Sequence, residues 1–95
     1  MTTKQKKVLD YMIRWAEKQS NGNRLQIEAL AKDGLNAMDN FGDAFFYALQ
    51  EAGYSYRYVN DAAYGGERGG YSLKICRAIE QPFKDYFMKI STDKF

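Results

Sequence analysis

Four cations near the beginning of the chain recur at the spacing of one helical face. Lys4, Lys7, Arg14 and Lys18 are separated by three, seven and four residues, and Tyr11 falls in the same register. Residues three, four and seven apart lie on the same side of a helix. We expect this row, called the basic stripe below, either to contact phosphate groups or to be a solvated helix face without a partner.

Three further cations surround a glycine-rich segment. Arg68 lies between glycine pairs in residues 65–70, while Arg57 precedes the segment and Lys74 follows it. Glycines allow a backbone to approach a ligand closely, so these cations could contact an anionic ligand. An ordinary flexible loop with polar neighbours is the alternative. We predict nucleic-acid binding by the basic stripe together with Arg57, Arg68 and Lys74.

A different surface, in the region of residues 36–50, combines carboxylates with aromatic rings. Placed on a helix, its members lie opposite the apolar residues and include no Lys or Arg: Asp39, Asp43, Phe46, Tyr47 and Gln50. DNA phosphates would repel the two carboxylates, whereas acidic residues around aromatics suit a protein interface. Alternatively, Phe46 and Tyr47 pack against the predicted β-hairpin or the C-terminal helix, both described below. Although Asp39 and Asp43 are four residues apart, paired surface carboxylates are common, and we predict no metal site.

The composition narrows the classes of function. The chain has no histidine, which excludes a histidine-based catalytic centre, and its one cysteine, Cys76, excludes an internal disulfide. No nucleophile–base pair is visible, so we expect a protein that is not an enzyme and has no cofactor. The net charge of +2 is too small to indicate nucleic acid by itself. No signal-peptide or membrane-spanning segment is recognisable, and we expect a cytoplasmic protein.

Hydrophobic periodicity predicts the elements that would position these side chains. The 95 residues have room for a single domain, with residues 1–3 and 91–95 frayed. Thr2 or Thr3 is expected to cap the first helix, Gly34 to end the second, Gly53 to end the third, and Pro82 to open or kink the last. Apolar residues at helical spacing place these helices at residues 3–19, 24–32, 37–52 and 77–90.

Between residues 53 and 76 the period changes from helical to alternating. Tyrosines occupy every second position from 54 to 58, and large apolar residues occupy every second position from 71 to 75. Such alternation predicts two strands, joined by a long hairpin loop over residues 60–70. The predicted order is helix, helix, helix, strand, strand, helix, which is an α+β fold.

Four segments carry a likeness to a known superfamily: KKVLDYMI at residues 6–13, EALAKDGL at 28–35, ALQEAGY at 48–54 and GGYSL at 69–73. Through them, residues 4–75 resemble the winged helix-turn-helix superfamily. The resemblance implies three helices followed by a two-stranded β-hairpin wing, here with an added C-terminal helix. It also implies that the third helix enters the major groove while the wing contacts the backbone. The third-helix face departs from this pattern because it carries no cation.

Two functions from different classes therefore remain open. The first is a DNA-binding regulator that contacts the duplex backbone through the first helix and the wing. The second is a non-enzymatic inhibitor or adaptor, such as a phage-encoded anti-CRISPR protein, that binds another protein through the acidic and aromatic face. In either case the last helix is expected to form a homodimer or to pack back on its own domain, through Ile79, Phe83, Phe87 and Ile90.

Overall fold

The computed structural model describes residues 1–64 and 70–95, and every regular element in these ranges is helical. Short 3-10 helices at Gly34–Ala37 and Gly70–Ser72 precede α3 and α5. The α-helices are α1 (Thr3–Ser20), α2 (Arg24–Asp33), α3 (Phe41–Ala52), α4 (Tyr56–Tyr64) and α5 (Leu73–Lys94). The predicted α+β fold is therefore wrong, because residues 1–64 and 70–95 contain no strand and so no β-hairpin wing.

The first two helices begin where the sequence predicts. Thr2 caps α1 by accepting a hydrogen bond from the Gln5 amide, and the Gln5 side chain accepts one from the Thr2 amide. These reciprocal bonds satisfy amides that the first helical turn leaves without partners. Asn23 caps α2 through its side-chain oxygen, which accepts a hydrogen bond from the Gln26 amide. Gly34 ends α2 as predicted, with a positive φ of 64°.

The third helix begins four residues later than predicted. Met38 is extended, and Asn40 has a left-handed backbone with φ of 55°, so neither continues a helix. The chain instead forms the 3-10 turn at Gly34–Ala37, which buries Leu35 in the core. Gly53 ends α3 as predicted, with φ of 87°.

Helix α1 lies between α3 and α5. At one end of the α1–α3 pair, the Lys4 ammonium donates to the Gly53 carbonyl at 3.1 Å. At the other end, the Gln19 amide group donates to the Asp39 carbonyl at 2.8 Å. The two helices are therefore antiparallel and held at both ends. On the opposite side of α1, the Tyr86 hydroxyl of α5 donates to Glu17 at 2.8 Å, and this bond raises the pKa of Tyr86.

The first predicted strand is helix α4. Its alternating tyrosines also satisfy a helical spacing, because Tyr54 and Tyr58 are four residues apart and their ring centroids lie 5.2 Å from each other. Val59 and Ala62, three residues apart, form its buried side. The Ser55 carbonyl accepts from the amides of Tyr58 and Val59, which closes the first turn. Packing of this side against α3 outweighs the β propensity of tyrosine and valine.

The second predicted strand is the beginning of α5. Ser72 is fully buried, and both its amide and its hydroxyl donate to the Asp61 carboxylate, at 3.0 and 2.7 Å. Asp61 therefore joins α4 to the start of α5. Gly70 has φ of 55°, and a Cβ there would collide with the Asp61 carboxylate. The chain can reach this arrangement because glycine tolerates both constraints.

Helix α5 is longer at both ends than predicted, and Pro82 lies inside it. Its apolar side packs against α2 and α1. Ile79, Phe83 and Phe87 are fully buried in the core of their own chain, and Ile90 packs against that core. Within one chain these residues pack on their own domain, with Ile79, Phe83 and Phe87 buried and Ile90 partly exposed.

Candidate functional site

Four aromatic rings form a continuous row on the surface shared by α1 and α3. Trp15 is stacked between Tyr11 and Tyr47, with ring centroids 6.0 and 6.4 Å away and interplanar angles of 30° and 21°. Phe46 completes the row, because its ring packs edge to face with Tyr47 at a centroid distance of 5.3 Å. We call these four residues the aromatic row. It joins Tyr11, from the register of the basic stripe, to two residues of the predicted protein-binding face.

The aromatic row lies at the solvent-facing edge of the hydrophobic core. Tyr47 is 49% exposed, and the other three rings are partly buried against the core. Beneath the row, the contact between α1 and α3 is filled by fully buried side chains, among them Val8, Met12, Phe45 and Leu49. The aromatic row therefore covers the outer edge of a core whose inner side chains are fully buried.

Trp15 carries an unusual polar atom. Its indole Nε1 is buried and has no hydrogen-bond partner, and it is the only such side-chain nitrogen or oxygen found in residues 1–64 and 70–95. An N–H group withdrawn from water without an acceptor costs about 1–3 kcal/mol. Buried indole groups normally have an acceptor. The Trp15 ring is therefore well stacked, while its N–H group lacks a hydrogen-bond acceptor.

Two cations of the basic stripe border the row. A cleft of about 320 Å³ is lined by Tyr11, Arg14, Trp15, Lys18 and Gln19. The Arg14 guanidinium lies over the Tyr11 ring, 5.9 Å from its centroid. This cleft, called the tryptophan cleft below, has aromatic walls and two positive charges, and no carboxylate from residues 1–64 or 70–95 lines it.

An adjoining cleft has mixed charge. Lys7, Asp10, Arg14 and Glu51 line it together with Tyr11, in a volume of about 270 Å³. Burial raises the pKa of the Tyr11 hydroxyl, and the nearby Glu51 carboxylate raises it further. The positive charge of the basic stripe is thus partly neutralised here by carboxylates from both α1 and α3.

The predicted protein-binding face is only partly assembled. Asp43, Phe46 and Tyr47 border a further cleft between α3 and α4, with Gly42 and Ala62. Asp39 lies before α3 and its carbonyl is bonded to Gln19, while Gln50 is exposed near the other end of the helix. Asp39 and Asp43 belong to no group of three or more potential metal ligands in the described part of the chain.

The remaining predicted cations lie elsewhere. Lys4 lies over the Tyr54 ring at 5.5 Å, and ring contacts continue through Tyr58 to Tyr71. The Arg57 guanidinium lies over the Tyr71 ring, 4.2 Å from its centroid. Lys74 is exposed in the first turn of α5. These residues form a second surface, called the tyrosine chain below: Lys4, Tyr54, Tyr58, Tyr71 and Arg57. Arg68 lies outside the described residues.

Trp15 is the residue that sequence reasoning missed. It is the chain's only tryptophan and lies four residues after Tyr11, at the edge between the apolar side of α1 and the basic stripe. That spacing was a usable signal, because residues four apart on a helix are neighbours. Its contact with Tyr47 has no such signal, because it depends on how α1 packs against α3.

No family model matches the chain, and neither a curated protein nor a solved structure matches it. Within residues 1–64 and 70–95, no helix has the length and apolar character needed to cross a membrane.

Proposed function

We propose that this chain is a non-enzymatic protein-binding module, with the aromatic row and its border of Arg14 and Lys18 as the docking surface. The observation that carries the proposal is Trp15, stacked between rings from two helices in a row that leaves Tyr47 half exposed to solvent. Tryptophan, tyrosine and arginine contribute most of the binding energy in protein interfaces. Rings that are already held in place also lose little conformational entropy when a partner binds.

Charge around the row supports a protein partner over a nucleic acid. Asp10 and Glu51 adjoin Lys7 and Arg14 at one end, and Asp43 is exposed beside Phe46 at the other. A nucleic-acid strand along the row would bring phosphates close to these carboxylates, which repel them. A protein surface can instead match alternating charges residue by residue.

The test is a quantitative capture from nuclease-treated lysate of the source cell. The tagged full chain, its Tyr47→Ala variant and its Tyr56→Ala variant are compared. Tyr56 is a matched control because it is a tyrosine, 80% exposed, on α4 outside the aromatic row. We expect a protein that is retained by the parent chain and by Tyr56→Ala and is lost with Tyr47→Ala. Equal retention by all three, with unchanged circular dichroism, would contradict the proposal.

A second candidate function is nucleic-acid binding through the tyrosine chain. The observation in its favour is the row of ring contacts that ends in Lys4 on one side and Arg57 on the other. Aromatic rings and cations together bind single strands by stacking and charge neutralisation. We expect the Arg57→Ala variant to reduce the slope of log affinity for an oligothymidylate against log salt by about 0.7, the value for one cation on a single strand. An unchanged slope would exclude this function for the surface.

A further inference from the structure

We infer that the tryptophan cleft takes one large apolar side chain from an acidic segment of a partner protein. This inference rests on the proposed function of the aromatic row and names the chemistry of its partner.

The cleft has the size and walls for a single side chain. Its volume is about 320 Å³, at the lower end of the range for ligand pockets. The rings of Tyr11 and Trp15 provide apolar walls, and the methylene stems of Arg14 and Lys18 extend them. An aromatic or branched aliphatic side chain would bury its surface against these walls, and aromatic pairs gain further from ring packing.

The border of the cleft requires negative charge nearby on the partner. Arg14 and Lys18 are four residues apart on α1, and among the described residues no carboxylate lines the cleft with them. The Arg14 guanidinium lies over the Tyr11 ring, 5.9 Å from its centroid, and Arg14 also lines the cleft. A guanidinium edge binds a carboxylate through two parallel hydrogen bonds. Aspartate or glutamate on either side of the apolar residue would therefore complete the site.

The site favours a peptide segment over a nucleic acid because its positive charge is short. Moving along α1 from Arg14 towards Lys7, the neighbouring cleft already contains Asp10 and Glu51. These carboxylates would repel the regularly spaced phosphates of a nucleic acid. A peptide needs negative charge only beside Arg14 and Lys18. The partner is therefore a local acidic segment with one apolar anchor.

Trp15 makes the test direct, because the only tryptophan in the chain reports on the cleft through its fluorescence. The full chain is titrated with a short tryptophan-free peptide of Asp, Glu and Ser with one central Phe. Three other probes are a peptide with Ser in place of Phe, a peptide with Lys in place of the acids, and an oligothymidylate of equal charge. We expect the fluorescence of Trp15 to change saturably with the acidic Phe peptide. The Ser peptide is expected to bind at least about tenfold more weakly.

Charge-reversal variants of equal size provide the control. Arg14→Glu/Lys18→Glu is expected to lower affinity for the acidic Phe peptide by at least about tenfold, since two favourable charge contacts become repulsive. Lys32→Glu/Lys89→Glu changes the same charge at exposed positions on α2 and α5, and is expected to change affinity less than about twofold. Circular dichroism verifies that each variant remains folded.

The outcomes separate this inference from the proposed function. Equal or tighter binding of the Lys peptide or of the oligothymidylate would overturn the inference, and so would the absence of any saturable response. If these results occurred while Tyr47→Ala still abolished capture of a protein, the aromatic row would remain a docking surface for a partner of different chemistry. If capture did not depend on Tyr47, the proposed function would fail by itself.

Discussion

Gly70 and Asp61 show how single residues determine the connection between α4 and α5. Gly70 combines a positive φ with a close approach to the Asp61 carboxylate, and that carboxylate accepts two hydrogen bonds from the buried Ser72. Neither role has a recognisable sequence pattern, because residues 61 and 72 are eleven positions apart and meet only in the folded chain. The glycine-rich run indicated a special backbone but not its contact.

Gly70→Ala is expected to destabilise the chain, while Gly42→Ala is expected to stabilise it. At Gly70 an alanine would strain a left-handed backbone, at a cost of about 1–2 kcal/mol, and would displace Asp61. Gly42 lies within α3, where a Cβ would meet nothing within 4 Å, so alanine gains up to about 1 kcal/mol of helix propensity. Urea denaturation of both variants measures the difference, and equal effects would contradict the assignment of Gly70.

Asp61 should make stability depend on pH. Its hydrogen bonds from Ser72 hold the pKa of this carboxyl below the ordinary value of 3.8. Since the unfolded chain then binds a proton at a higher pH than the folded chain, the stabilisation is complete well above pH 4 and is lost as pH falls through the lowered pKa.

We therefore expect Asp61→Asn to be less stable than the parent at pH 7 and to approach it in stability as pH falls through the lowered pKa. Urea denaturation at pH 7, 5 and 3 measures this, with Asp93→Asn as a control for loss of an exposed carboxylate near the end of α5. A difference between parent and Asp61→Asn that does not change with pH would show that the carboxylate's charge contributes nothing.

Among the elements, the helices with long apolar periodicity were predictable and the connection between them was not. The first two helices match within one residue, because Thr2, Asn23 and Gly34 provide local signals at their ends. The tyrosines at 54–58 fit both an alternating and a helical spacing, so local sequence could not decide between strand and helix. Packing of Val59 and Ala62 decided it, and the likeness to a winged helix failed at that point.

Pro82 gives a prediction at the level of the helix. It lies inside α5, where proline cannot donate to the carbonyl four residues earlier and costs about 3 kcal/mol relative to alanine. Proline also restricts the unfolded chain, which offsets about 1 kcal/mol. We expect Pro82→Ala to increase stability by about 2 kcal/mol and Gln81→Ala, next to it on an exposed position, to change stability little. Thermal unfolding measures both, and a destabilised Pro82→Ala chain would show that α5 requires the proline.

At the scale of the whole molecule, the candidate site forms because α1 and α3, which are separated in the sequence, pack against each other. Tyr11 and Trp15 come from α1 and Tyr47 comes from α3, and the bonds of Lys4 and Gln19 hold the two helices antiparallel. The sequence indicated each half of the site but assigned the halves to different partners, since helix pairing over more than twenty residues leaves no local pattern. The aromatic row can keep its geometry only while the core beneath it remains intact.

That core supports a prediction about assembly. Ile79, Phe83 and Phe87 are fully buried within one chain, so folding should not require a second copy. We expect the midpoint of thermal unfolding to stay constant over a hundredfold range of protein concentration, because only a folded dimer would make it concentration-dependent. Phe83→Ala is expected to lower the free energy of unfolding by about 3–5 kcal/mol, a large part of the stability of a domain this size. Met88 is half exposed on the same helix, so Met88→Ala should lower it by less than about 0.5 kcal/mol. A midpoint that rises with concentration would instead show that stability includes contacts between chains, and the surface of α5 opposite its buried side would then have to supply them.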